Sequence, residues 1–116
     1  MSKKSDLVFI EHVLESINAI EDFSKNLNEK KLASDRLRRN AIVRELEIIG
    51  EAVKNLSLAT REKYSFVPWK EIIGTRDKVI HHYFGIDLEI VWNIVKKELP
   101  SLKKEIVKIR KDLCWE

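Results

Sequence analysis

Residues 34–56, SDRLRRNAIVRELEIIGEAVKNL, carry the pattern from which the fold is read. At about 100° per residue, Leu37, Ala41, Ile42, Leu46, Ile48, Ile49, Ala52, Val53 and Leu56 cover a broad apolar arc, as a helix at the centre of a bundle requires. Ser34 or Asp35 is placed to cap it. Two charges, Arg38 and Glu45, fall inside the arc, on a surface that should otherwise be dry.

On the N-terminal side, Ser5 or Asp6 can cap a helix with Phe9, Ile10, Val13, Leu14, Ile17, Ile20, Phe23 and Leu27 along one face and Glu11, Glu15 and Asp22 on the other. Its end is expected near Asn26 to Asn28, with a polar connection to Lys31. On the C-terminal side, Leu58 to Tyr64 reads as a short helical turn. Val67-Pro68 supplies an extended residue followed by a proline suited to a helix start. A third long helix is expected from there to Tyr83 or Phe84, with Gly85 as a left-handed cap. Asp87 can begin a fourth, with Leu88, Val91, Trp92, Val95 and Leu99 inward. Pro100 should break or kink it before Leu102, Ile106, Ile109 and Leu113 resume the stripe.

The composition agrees with an all-α antiparallel bundle of four to five helices. Hydrophobic residues are 44% and charged residues 35%, with only 3 Gly and 2 Pro to build the turns of a many-stranded sheet. The 116 residues suit one domain, 1–116, with a single core. A formal charge of +3 permits a polyanionic partner without demanding one. Basic residues cluster at Lys30–Arg39 and at Lys103–Lys111, and a solvated helix face explains such clusters as readily as phosphate contact. Cys114 is the only cysteine, so neither an internal disulfide nor a thiolate zinc site is expected. No apolar run reaches the ~20 residues of a membrane span. Met1 to Asp6 lacks the hydrophobic part of a signal peptide, so a cytoplasmic setting is expected.

The chemistry concentrates in Arg76 to Tyr83, RDKVIHHY. On this third helix, Trp69, Ile72, Ile73, Val79, Ile80 and Tyr83 form one apolar arc with Arg76 in the middle of it. A guanidinium there needs a partner: an internal carboxylate such as Glu45, a second subunit, or an anionic ligand. His81 and His82 are adjacent and diverge by roughly 100°, without a His-x-x-x-His or Glu-x-x-His spacing, so no metal site is expected. The glycines Gly50, Gly74 and Gly85 are isolated, which excludes a phosphate-binding loop. No cofactor is expected. Arginine and histidine in one cleft could move a phosphodiester without metal. The imidazole would shuttle the proton of a ribose 2′-hydroxyl, and the guanidinium would hold the phosphate. From the residues alone, an ion pair and a surface histidine are the commoner arrangement of such a pair.

The Arg76-x4-His81-x-Tyr83 run, continued by Phe84-Gly85-Ile86-Asp87, resembles the signature of HEPN domains. It is closest to the HepT-like toxins encoded beside a minimal nucleotidyltransferase antitoxin. Arg44-Glu45-Leu46-Glu47-Ile48-Ile49-Gly50-Glu51-Ala52, Pro68-Trp69 and Asp87 to Trp92 extend the likeness over almost the whole chain. The resemblance implies a HEPN-like bundle that forms a homodimer through the motif helix. It also implies a metal-independent endoribonuclease toxin of a type VII-like toxin–antitoxin pair, with RNA as substrate. On matching positions, Arg76 and His81 become the catalytic pair and Tyr83 the residue adenylylated by the antitoxin; His82 falls on an open position. Asp77 could orient a neighbour. Glu47 and Glu51, one turn apart beside Gly50, form an auxiliary acidic face where another helix can approach. A non-catalytic module presenting nucleotide or RNA to a nucleotidyltransferase is the alternative the same resemblance permits.

Overall fold

The computed structural model describes residues 3–81 and 85–115, and the side chains of all of these except Lys3, Lys4, Ile80 and His81. Three long helical stretches supply the core. Helix α1 (Lys3–Phe23) buries Ile10, Val13, Ile17 and Ile20. Helix α3 (Arg36–Lys54) buries Ile42, Val43, Leu46, Ile49 and Val53. Helix α8 (Leu99–Trp115) buries Leu99, Leu102, Ile106, Ile109 and Leu113. These are the three- and four-residue spacings that place side chains on one helical face, and α1 packs against both α3 and α8.

The directions of the helices follow from polar contacts between their ends. Arg38, at the start of α3, donates from Nη1 to the carbonyls of Phe23 and Lys25 at the end of α1, at 3.4 and 2.9 Å. Its Nε bonds Asp35 at 2.8 Å. The charge that the sequence places on a dry face is thus spent on orphan carbonyls at a helix terminus. At the other end of the pair, Asp6 near the start of α1 meets Ser57 and Thr60 just beyond α3. Lys103 of α8 reaches Glu21 of α1, whereas Arg110 reaches back to Glu11. Helix α1 therefore runs antiparallel to both α3 and α8, as the all-α bundle reading requires.

Short elements connect these three. Helix α2 (Glu29–Ser34), capped by Asn28, occupies the stretch expected to be a plain connection. Helix α1 ends at Phe23, a few residues early, and Asn26 takes a positive φ of 61° in the turn that follows. Asp35 rather than Ser34 caps α3. Asp6 lies inside α1 instead of capping it. Helix α4 (Leu58–Lys63) is capped by the Ser57 hydroxyl.

The expected third long helix is not continuous. Helix α5 (Trp69–Ile73) stops at Gly74, α6 (Thr75–Val79) follows, and the chain then becomes extended as β1 (Ile80–His81), antiparallel to β2 (Gly85–Ile86). Gly85 has the positive φ of 80° expected of it, but within this strand pair rather than as a helix cap. The Asp87 amide closes the pair by donating to the Val79 carbonyl at 2.8 Å. The Asp87 carboxylate then caps α7 (Leu88–Asn93). Pro100 does not break the last helix. A π turn over Ile94–Glu98, with the Leu99 amide bonded to the Ile94 carbonyl, joins α7 to α8 just ahead of the proline, which lacks an N–H.

Candidate active site

Glu47 sits on α3 with its side chain 22% exposed, and two guanidiniums converge on its Oε2: Arg76 from α6 through Nε at 3.3 Å, and Arg44 from the preceding turn through Nη1 at 3.8 Å. Two cations share one carboxylate, so the cluster keeps one net positive charge. Both guanidiniums are largely in solvent, each side chain 66% exposed, so they can reach an anion without being dragged out of the core. An exposed guanidinium with its planar donors can bind a phosphate in two-pronged fashion.

This corrects the position expected for Arg76. On an unbroken helix it would lie in the middle of an apolar arc. The break at Gly74 resets the helical phase, leaving Trp69 and Val79 buried and turning Arg76 outward. Its internal partner is Glu47, not Glu45. Trp69 is pinned by its indole Nε1–H, shared between the carbonyls of Arg61 and Tyr64 at 3.2 and 3.0 Å.

Gly50 sets the distance between α3 and the segment carrying Arg76. A Cβ on Gly50 would lie 3.4 Å from the Ile72 carbonyl oxygen and 3.5 Å from that of Ile73, so the α5 backbone rests almost directly on α3. The close approach expected beside Gly50 is therefore present. One turn earlier on α3, it leaves Glu47 beside Arg76.

The remaining sequence-derived candidates are more dispersed. Glu51 is exposed and takes part in no ion pair among the described residues. Asp77 is exposed on α6, with its amide bonded to the Gly74 carbonyl at 3.1 Å; its carboxylate makes no hydrogen bond among the described residues. His81 lies in β1, its backbone paired with Gly85. Its position relative to Arg76 is therefore set by a helix followed by a strand, not by five helical steps. The His81 side chain, together with His82, Tyr83 and Phe84, lies outside the described residues. Among the described residues no three His, Cys, Asp or Glu side chains gather where a metal ion could bind. Arg44 is not among the sequence-derived site residues, although its spacing of three from Glu47 is the helical ion-pair spacing that points to it.

An all-α bundle presenting an open arginine–glutamate cluster at the junction of a broken helix and a short strand pair defines a class of small helical domain. The family follows from comparison with known proteins. Residues 13–109 match the model of the family described as "Ribonuclease HepT-like", and the chain belongs to that family. It is 43% identical over 113 residues to "Putative RNase MJ1216" of Methanocaldococcus jannaschii, covering 97% of this chain and 93% of that protein. It is 38% identical over 109 residues to "Probable ribonuclease HepT" of Thermococcus cleftensis, covering 94% and 99%. A third relative, "Gamma-glutamylcyclotransferase and putative RNase MJ0434" of Methanocaldococcus jannaschii, is 44% identical over 111 residues; the chain spans 96% of itself but half the length of that protein. No solved structure matches the chain. No helix among the described residues is long and apolar enough to cross a membrane.

Proposed function

We propose that the protein is a metal-independent endoribonuclease and that Arg76 and His81 are its catalytic pair. The observation that carries this reading is the solvent-facing guanidinium of Arg76, held at its base by Glu47 in a chain of the HepT-like family. Arg76 binds the scissile phosphate and takes up charge as it develops. His81 removes the proton from the ribose 2′-hydroxyl, whose oxygen attacks phosphorus as the 5′-oxygen leaves. Glu47 acts as a positioning residue for Arg76. Asp77 and Glu51 are auxiliary positions in this reading.

The active form is a homodimer in which both copies bring their Arg76-bearing segments to one cleft. Its setting is the cytoplasm, as the toxin of a pair whose antitoxin is a nucleotidyltransferase. The antitoxin transfers AMP to the Tyr83 hydroxyl, expelling pyrophosphate from ATP. Added bulk and negative charge at the cleft then repel the RNA backbone. Incubation with a cognate nucleotidyltransferase, ATP and magnesium should put an AMP adduct on Tyr83, read by peptide mass spectrometry. An unmodified Tyr83 would refute this control.

The hydrolytic reading is tested by its product. Cleavage of RNA in EDTA should leave a 2′,3′-cyclic phosphate, and single-stranded DNA, lacking the 2′-hydroxyl, should resist. RNA that is bound but left intact would instead support the non-catalytic module.

A further inference from the structure

A cavity of about 380 Å³ opens between α3, the segment entering α5, and the π turn with the start of α8. It lies within the range of roughly 300–1,000 Å³ typical of small-molecule sites. Its walls are apolar, with Leu46, Ile49, Ile72, Ile94 and Leu102 among them. Thr75, which lines it, directly precedes Arg76 in the chain; Arg44, Glu47 and Arg76 themselves are not part of its walls.

Two features of the rim select the occupant. Phe66 lines the cavity and is 65% exposed, an unusual position for a phenyl ring. The ring is braced: Tyr64 meets it edge-to-face at 6.3 Å, and the Tyr64 hydroxyl is anchored to Asp112 at 2.8 Å. Lys97 stands on the π turn, with no carboxylate paired to it among the described residues. Of the two acids that line it, Glu98 accepts a hydrogen bond from the Asn93 side-chain amide and keeps its charge, while Glu105 lies 3.8 Å from the Lys108 ammonium. An apolar slot with a fixed aromatic edge suits any flat hydrophobe. Lys97 on the rim, and Arg76 one residue beyond the lining Thr75, are the cations that phosphates on either side of such a group would use.

We propose that this cavity is a subsite for one unpaired nucleobase of an RNA chain, stacked on Phe66, with an adjacent phosphate at Arg76. Single-stranded RNA is recognised by such splayed bases on aromatic side chains. The inference rests on RNA being the substrate, and it assigns Phe66 to base binding, away from the reacting atoms; Ser101 lines the same cavity and is exposed.

The test uses a 2′-O-methyl RNA oligonucleotide, which the enzyme cannot cut, and fluorescence anisotropy on the whole protein. Phe66→Ala should weaken binding about tenfold, as loss of one base–aromatic stack does. Ser101→Trp, which fills the rim from an exposed position, should weaken it similarly, and Phe66→Tyr should restore it. Wild-type affinity in both Phe66→Ala and Ser101→Trp would overturn the subsite, even if RNA cleavage is intact. Loss of dimer mass in these variants with unchanged RNA affinity would also overturn it, and make the cavity a contact between copies. A wild-type protein that binds the oligonucleotide with the Phe66 dependence described but cuts no RNA would leave the subsite standing and overturn the ribonuclease reading alone.

Discussion

Asp6 is 2% exposed, yet it accepts hydrogen bonds from the Ser57 amide at 2.9 Å and from the Ser57 and Thr60 hydroxyls, each at 2.6 Å. Burial alone would push its pKa up, but these three donors outweigh it and hold the carboxyl below its ordinary 3.8. Because the folded-state value is the lower one, the stabilisation is complete above the unfolded-state value and is lost as pH falls through the folded-state value. Asp6→Asn should therefore be less stable at neutral pH, by about 2–3 kcal/mol. Its stability should also fall less steeply than wild type below about pH 4; urea denaturation across pH 2–7 reads both, and parallel curves would contradict this account. Local pattern suggests Asp6 as a helix cap, but its partners lie 51 and 54 residues away, which no local spacing reveals. Arg76 is the converse case: an outward charge that a continuous helix would have buried. Arg76 is largely in solvent although Glu47 is only 22% exposed, so Glu47→Gln should change stability by about 1 kcal/mol. If Glu47 positions Arg76, the same variant should lower kcat on the order of tenfold with KM little changed. Steady-state cleavage kinetics would separate that from a purely structural pair, which would leave kcat alone.

Between elements, the contact that matters most is α5 lying on α3 at Gly50. At 3.4 Å from the nearest carbonyl oxygen, a single added methyl is in ordinary contact, so Gly50→Ala should be tolerated or gain up to about 1 kcal/mol from helix propensity. Gly50→Leu has no room, and should cost about 1–3 kcal/mol while prising Arg76 from Glu47. Thermal denaturation of the two variants checks the sign, and a Gly50→Leu protein as stable as wild type would show that the helices do not meet so closely. The long helices α1, α3 and α8 were legible because each repeats buried aliphatic residues over many turns. The break at Gly74 was not, since an isolated glycine costs a helix only about 1 kcal/mol and the apolar spacing runs across it without interruption. What decides the break is tertiary: α5 and α6 both pack against α3. Pro100 is expected to break or kink the helix before Leu102; the chain is not broken there, and the irregularity is a π turn just ahead of the proline, a form that hydrophobic spacing does not encode.

For the whole molecule, the bundle brings Arg44 and Glu47 of α3 together with Arg76 of α6, and leaves the cluster open. The dimer proposed around that opening should bury roughly 1,200–2,000 Å², so sedimentation equilibrium at micromolar concentration should return twice the chain mass; a monomer there would remove the shared cleft. The family was readable from Arg76-x4-His81-x-Tyr83 and its flanking stretches, and the match over residues 13–109 agrees with that reading. The identity of the catalytic base is tested most directly by the rate of RNA cleavage in EDTA, measured side by side for the wild type, His81→Ala and His82→Ala. Wild type and His82→Ala should cleave at similar rates, and His81→Ala should fall on the order of a hundredfold or more with its helical circular dichroism unchanged. A folded His81→Ala protein cutting RNA at the wild-type rate would contradict the account.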